Sequence, residues 1–150
     1  MNTFNERIHF IWRVNISIAT GGREVKELMA ALQAIAGSKN VCVSDEVLAS
    51  HAEDASFTKG ILPRAVVKPQ NASQVQEIVK WANATKTPLV PISSTAPHYK
   101  GDTVPSVPEA VIVDLSGMKK ILGINRRHRI AVIEPGVTYA ELNSVLEKRA

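Results

Sequence analysis

The apolar positions of this chain change period several times, and each change marks an element. Between residues 8 and 18, Ile8, Phe10, Trp12, Val14, Ile16 and Ile18 alternate with mostly polar neighbours, the period of a half-buried strand. A strand placed there is expected to add to a sheet edge, to pack on another chain, or to form a loosely ordered extension. Thr20, Gly21 and Gly22 break the pattern. From Glu24 the spacing becomes helical, with Val25, Leu28, Met29, Leu32 and Ile35 on one face and Gly37 where a C-terminal stop belongs. Val41-Cys42-Val43 reads as a short strand. Ser44 reads as the cap of a brief helix from Asp45 to His51, with Asp45 and Glu46 in its first turn.

Past a polar loop through Asp54, Ser56 and Gly60, the pattern becomes regular. RAVVKP (64–69) is a buried strand ended by Pro69, and Ser73 with Gln76 is expected to open a helix through a capping box. Val75, Ile78, Val79 and Ala82 form its inward stripe, and PLVPI (88–92) is the next strand. A strand, a helix and a strand within roughly thirty residues make a βαβ unit with a parallel, right-handed crossover. AVIVDL (110–115) is a further strand and SGMKK a turn. ILGIN and IAVIEP pair across a tight hairpin at Arg126-Arg127-His128-Arg129. Gly136 turns the chain, and Thr138 with Glu141 forms a capping box for a last helix whose Leu142, Val145 and Leu146 face inward.

The strand order gives one segment particular interest. PLVPISSTAPHYKGDTVP (88–105) runs from a parallel strand into a long polar loop, and ligands of open α/β sheets bind beyond the carboxyl ends of such strands. Long loops in compact domains are usually functional or disordered. A solvated connection and a ligand-wrapping loop are the two readings, and loop position favours the second.

Composition narrows the classes. The 150 residues suit one domain with a real core; 45% hydrophobic and 21% charged residues are ordinary for a globular protein. The net charge of +4 is spread along the chain rather than gathered in a stripe, which argues against nucleic acid as a partner. The basic run at 126–129 has no interleaved aromatic residues and reads as a solvated turn. Cys42 is the only cysteine. It fits a reducing compartment and, between two valines, is expected to be a buried, inert thiol. No apolar run reaches the roughly 20 residues of a membrane span, and Glu6, Arg7, His9 and Arg13 interrupt any signal-peptide core. A cytoplasmic location is expected. The four histidines and one cysteine have no ligand spacing, so no metal site is expected. Neither a dinucleotide fingerprint nor a P-loop is present.

PRAVVKPQNASQVQEIVKWANATKTPLVPIS, AVIVDLSGMKKILGIN and AVIEPGVTYAELNSVL, in that order, resemble the first part of the PCMH-type FAD-binding domain of the vanillyl-alcohol oxidase and p-cresol methylhydroxylase flavoprotein superfamily. The nearest likeness is the glycolate oxidase and D-lactate dehydrogenase branch; SDEVLASHAEDAS is similar to the stretch ahead of that domain. The resemblance covers about residues 40–149. It implies an α+β (α/β) fold: a first βαβ subdomain and the start of the second, incomplete at the C-terminus. Taken with the apolar pattern ahead of it, the chain divides into an N-terminal extension (1–22), a helical lead-in (23–62) and a partial FAD-binding domain (63–150). The cofactor it implies is FAD, with the pyrophosphate on the loop at 92–101.

In the family that loop is glycine-rich. Here Pro91 matches its proline and Gly101 a later glycine. Ile92 replaces an arginine, Ser93, Ser94 and Thr95 replace glycines, and Ala96 and Pro97 stand for a threonine and a serine. Hydroxyl groups can still donate to phosphate but restrict the backbone angles that glycine allows. His98 and Lys100 can add donor or positive character. His98 does not fall where relatives tether the flavin covalently. The implied FAD-binding residues are therefore Ile92, Ser93, Ser94, Thr95, Ala96, Pro97, His98, Gly101 and Gly136. No catalytic residue is assigned, because the family's substrate-binding part lies beyond this stretch.

Two functions are open at this point. One is the FAD-binding part of an oxidoreductase acting on a 2-hydroxy acid or related alcohol. Its small organic substrate would be held by residues outside this chain, and its partner would be another subunit or the missing C-terminal half. The other is a flavin-free accessory or interaction subunit that retains the fold, for which the missing glycines speak.

Overall fold

A helix over residues 24–36 (α1) leads into the fold and stops at Gly37, whose φ of 89° is a left-handed conformation glycine adopts without steric cost. The structure is a computed structural model describing residues 24–57, 59–93 and 104–148. The expected alternating strand at 8–18 lies outside those residues. After a 3₁₀ turn at Ser38–Asn40 come β1 (Val41–Cys42), α2 (Asp45–Ser50), β2 (Ala65–Val67), α3 (Ala72–Thr85), β3 (Leu89–Ile92) and β4 (Val111–Asp114). A hairpin of β5 (Ile121–Asn125) and β6 (Ile130–Ile133) then precedes α4 (Tyr139–Glu147).

Four strands form one sheet in the order β1-β2-β4-β3, with β1 antiparallel to β2 and both β2 and β3 parallel to β4. The expected β2-α3-β3 unit is present and its strands are parallel, but they are not neighbours, because β4 slots between them. β4 thereby becomes the central strand of the parallel part, and all four of its residues are buried. Burial on both faces explains the unbroken apolar runs of β2 and β4. One face sets Ala65, Val67, Val111 and Val113 against Leu28, Leu32 and Ala36 of α1 and Ile78 of α3. The other sets Val66, Ile112 and Ile92 against Leu48 of α2.

The helix ends differ in part from expectation. Asn71, not Ser73, caps α3: its side chain accepts from the Gln74 N–H at 3.0 Å, while Gln74 Oε1 accepts from the Gln70 N–H at 2.7 Å. The chain after Pro69 turns early enough for Asn71 to take the cap, and asparagine is at least as good there as serine. Within the expected stripe, Ile78 and Ala82 are buried, but Val79 is exposed and Trp81 packs on the core instead. Ser44 occupies the N-cap of α2 without a side-chain cap bond, since its Oγ lies 3.3 Å from Cys42 Sγ. Thr138 and Glu141 form the expected capping box on α4. That helix buries no residue, so Leu142, Val145 and Leu146 do not reach a core among the described residues.

The core contacts set the stability order. Leu32→Ala is expected to lower the unfolding free energy by about 2–5 kcal/mol in urea denaturation, whereas Val79→Ala should change it by no more than about 0.5 kcal/mol.

Candidate functional site

The carboxyl ends of the three parallel strands form one row. Ile92 pairs with Asp114 across β3 and β4. The Val67–Val113 pairing across β2 and β4 brings Lys68, the next residue, beside Asp114. Lys68 Nζ lies 3.0 Å from Asp114 Oδ2; the lysine side chain is 52% exposed and the aspartate only 6%. Asp114 Oδ1 accepts from the Ser116 N–H at 2.9 Å, closing a tight turn just past β4. Burial pushes the Asp114 carboxyl up, but the Ser116 hydroxyl and amide and the Lys68 ammonium outweigh it, and the net shift is downward. Its stabilising contribution is therefore complete above the ordinary aspartate value of about 3.9 and fades as pH falls through the lower folded value.

The same turn carries the second sheet. The Leu115 N–H donates to the Ile92 carbonyl at 2.7 Å, and the Gly136 N–H donates to the Met118 carbonyl at 2.8 Å. A Cβ at Gly136 would sit 2.5 Å from the Ser116 carbonyl oxygen and 2.8 Å from that of Leu115, both backbone atoms with little freedom to yield. Glycine is required here by close approach rather than by a left-handed backbone. Lys119 Nζ contacts Glu141 Oε1 at 2.8 Å, and with the Thr138 donors it lowers the Glu141 carboxyl to about 2. These bonds fix the start of α4 beside the turn.

Of the residues expected to hold a ligand, Ile92 is buried and contributes its side chain to the core, and Ser93 follows it, exposed, at the carboxyl end of β3. Gly136 reaches the same region through the Leu115–Ser116 turn. Ser94, Thr95, Ala96, Pro97, His98, Lys100 and Gly101 lie outside the described residues. Lys68, Asp114 and Ser116 were not among the expected site residues. The available signal was a lone acid ending an apolar run in one strand and a lone base ending another, which parallel register brings side by side. Cys42 corrects its expectation: it is half-exposed rather than buried, and the Ser44 hydroxyl lowers its pKa. The Arg126–Arg129 turn is exposed as expected, held by Asn125 Oδ1 accepting from the His128 N–H at 3.0 Å and by Arg129 at φ 54°. Among the described residues no helix is long and apolar enough to cross a membrane.

Helices and a largely parallel sheet, with a loop and a glycine-tight turn gathered at the strands' carboxyl ends, define an α/β domain of ligand-binding type. The family of FAD-binding domains matches residues 63–150, and the chain belongs to it. It is 30% identical over 125 residues to 1'-carboxy-chondrochloren decarboxylase of Chondromyces crocatus, covering 83% of this chain and 23% of that protein. It is 38% identical over 93 residues to D-2-hydroxyglutarate dehydrogenase of Stutzerimonas stutzeri, covering 58% of this chain and 18% of that one. The crystal structure of p-cresol methylhydroxylase superposes with a TM-score of 0.73 at 28% identity, covering 83% of this chain and 24% of that one. The chain thus spans roughly a quarter or less of the proteins it matches.

FAD is the cofactor of this family, and the groups present suit its phosphates. The carboxyl end offers the exposed Ser93, and the buried Asp114 carboxylate beside it is already neutralised by Lys68. The glycines provide an internal comparison. Gly136→Ala is expected to weaken FAD retention at least about tenfold and to lower thermal stability, because backbone must move. Gly123→Ala, where nothing lies within 4 Å of a new Cβ, should leave FAD retention unchanged. Flavin fluorescence after gel filtration and a thermal melt check both.

Proposed function

We propose that this chain is the FAD-binding part of a flavin-dependent oxidoreductase that oxidises a 2-hydroxy acid or a related alcohol. The observation that carries this reading is the match of residues 63–150 to FAD-binding domains, together with donors and a glycine-tight turn at the sheet's carboxyl end. The likeness to a D-2-hydroxyglutarate dehydrogenase supports the substrate class. Bound FAD supplies the acceptor for a hydride equivalent. The chain's own part is to hold it: the loop from Ser93 to Gly101 wraps the pyrophosphate with hydroxyls and backbone amides, and Gly136 lets the second lobe come close. In this reading residues 1–22 are an extension, 23–62 a lead-in and 63–150 the partial domain. The unpaired Cys42 supports a reducing, cytoplasmic setting.

The substrate and the rest of the flavin pocket belong to a further polypeptide segment, in the same chain or another subunit. Support comes from the two-stranded β5–β6 sheet, since a hairpin alone is marginally stable. Leu122, Ile130 and Val132 are each more than half exposed. A groove of about 450 Å³ between the hairpin and α4 is lined by Ile124, Ile130, Ala131, Leu142 and Leu146. The flavin-free accessory subunit is the second reading, favoured by Ser93, Ser94 and Thr95 standing where the resemblance implies glycine.

FAD titration followed by tryptophan fluorescence or calorimetry separates them. The flavoprotein reading expects saturable binding, weakened at least about tenfold by Ser94→Asp, which sets a carboxylate against the phosphates. Wild-type protein that is folded, includes the further segment and still does not bind FAD would leave the accessory reading.

A further inference from the structure

We propose that Asp114 is the positioning residue of the flavin site, anchored by Lys68 and acting through the Leu115–Ser116 turn on the place where Gly136 docks. The proposal rests on the FAD-binding reading for its functional consequence and on geometry alone for the positioning.

The chain of contacts is continuous. Lys68 Nζ holds Asp114 Oδ2 at 3.0 Å, and Asp114 Oδ1 holds the Ser116 N–H at 2.9 Å. That second bond fixes the plane of the Leu115–Ser116 peptide, and the Leu115 carbonyl oxygen of that plane would lie 2.8 Å from a Cβ at Gly136. Two residues past Ser116, the Met118 carbonyl accepts from the Gly136 N–H, and Met118 itself is buried. Backbone contacts therefore set the spacing between the β4 turn and Gly136. A turn rotated by a fraction of an ångström would close that contact or open it.

Asp114 is suited to this work because its two oxygens have separate duties. A neutral, isosteric amide can satisfy the Ser116 N–H through its oxygen, but its other end then presents N–H groups to an ammonium. Either the Lys68 contact or the Ser116 contact must be given up. Lys68 contributes charge from an exposed position, so it can be altered without opening the core. The pair sits in the row with Ile92, the last residue of β3 before the loop expected to wrap the pyrophosphate. Any movement of the β4 turn is passed to the end of β3 by the bond from the Leu115 N–H to the Ile92 carbonyl.

The test measures amide hydrogen exchange and FAD binding in the full chain carrying Asp114→Asn, Lys68→Met or Lys68→Arg. Asp114→Asn and Lys68→Met are expected to speed exchange at the Ser116 and Gly136 amides by roughly tenfold or more, with the Ile112 amide of β4 unchanged. Lys68→Arg, which keeps the charge, should restore protection. Where Asp114→Asn does not fold, Lys68→Met carries the same test from the exposed side. Unchanged exchange at Ser116 and Gly136 in a folded Lys68→Met variant overturns the positioning role, whatever the flavin does. In FAD-loaded protein the same two variants should weaken FAD binding at least about tenfold and alter the visible circular dichroism of the flavin, and Lys68→Arg should do neither. Altered exchange with FAD binding and dichroism unchanged would refute the functional part and leave the FAD-binding reading intact. Wild-type protein that takes up no FAD would refute that reading, while the exchange result still decides the geometry.

Discussion

The backbone of the turn after β4 lies so close to Gly136 that a single carbon on that residue would fall 2.5 Å from the Ser116 carbonyl. This contact constrains both halves of the described fold. On one side it is fixed by β4, the central strand of the parallel part, buried on both faces and flanked by β2 and β3. On the other it fixes the entry to α4, whose capping box begins two residues later at Thr138. A larger residue at 136 would separate the sheets, and a looser turn at 116 would let them slide.

That constraint explains why the chemistry gathers where it does. Parallel strands end together, so their following residues form a row, and in this protein the row contains a base, a buried acid and an exposed hydroxyl: Lys68, Asp114 and Ser93. An acid left unpaired there would repel phosphates. Paired with Lys68, it accepts from the Ser116 N–H and serves the backbone instead. The hairpin and α4 leave apolar surface exposed, consistent with a chain that spans about a quarter of the proteins it resembles.

Much of this was legible in the sequence. Periods of two and of 3.6 residues located nearly every described element, and the Thr138–Glu141 pair named its helix cap correctly because both residues of a capping box lie close in sequence. Sheet order was not legible: local pattern shows that Ala65–Val67 and Leu89–Ile92 are parallel-type strands, but not that Val111–Asp114 inserts between them. The Lys68–Asp114 pair was hidden for the same reason, since the two residues meet only through that insertion. Burial of α4 was misjudged because an amphipathic pattern states which face needs a partner, not whether the partner is at hand. The glycine loop of relatives drew attention to residues 93–101, while the position of Gly136 against Ser116 needed coordinates.

In the proposed site FAD lies across the carboxyl end of the sheet, between the loop after β3 and the Gly136 turn. Photolabelling the protein with an azido-FAD and mapping the modified peptides tests it most directly. The account predicts labels, abolished by excess FAD, in the segment 88–105 and in the segment 134–138. Competable labelling confined to the hairpin and α4 groove, at 124–131 or 142–146, with neither predicted segment modified, would contradict it.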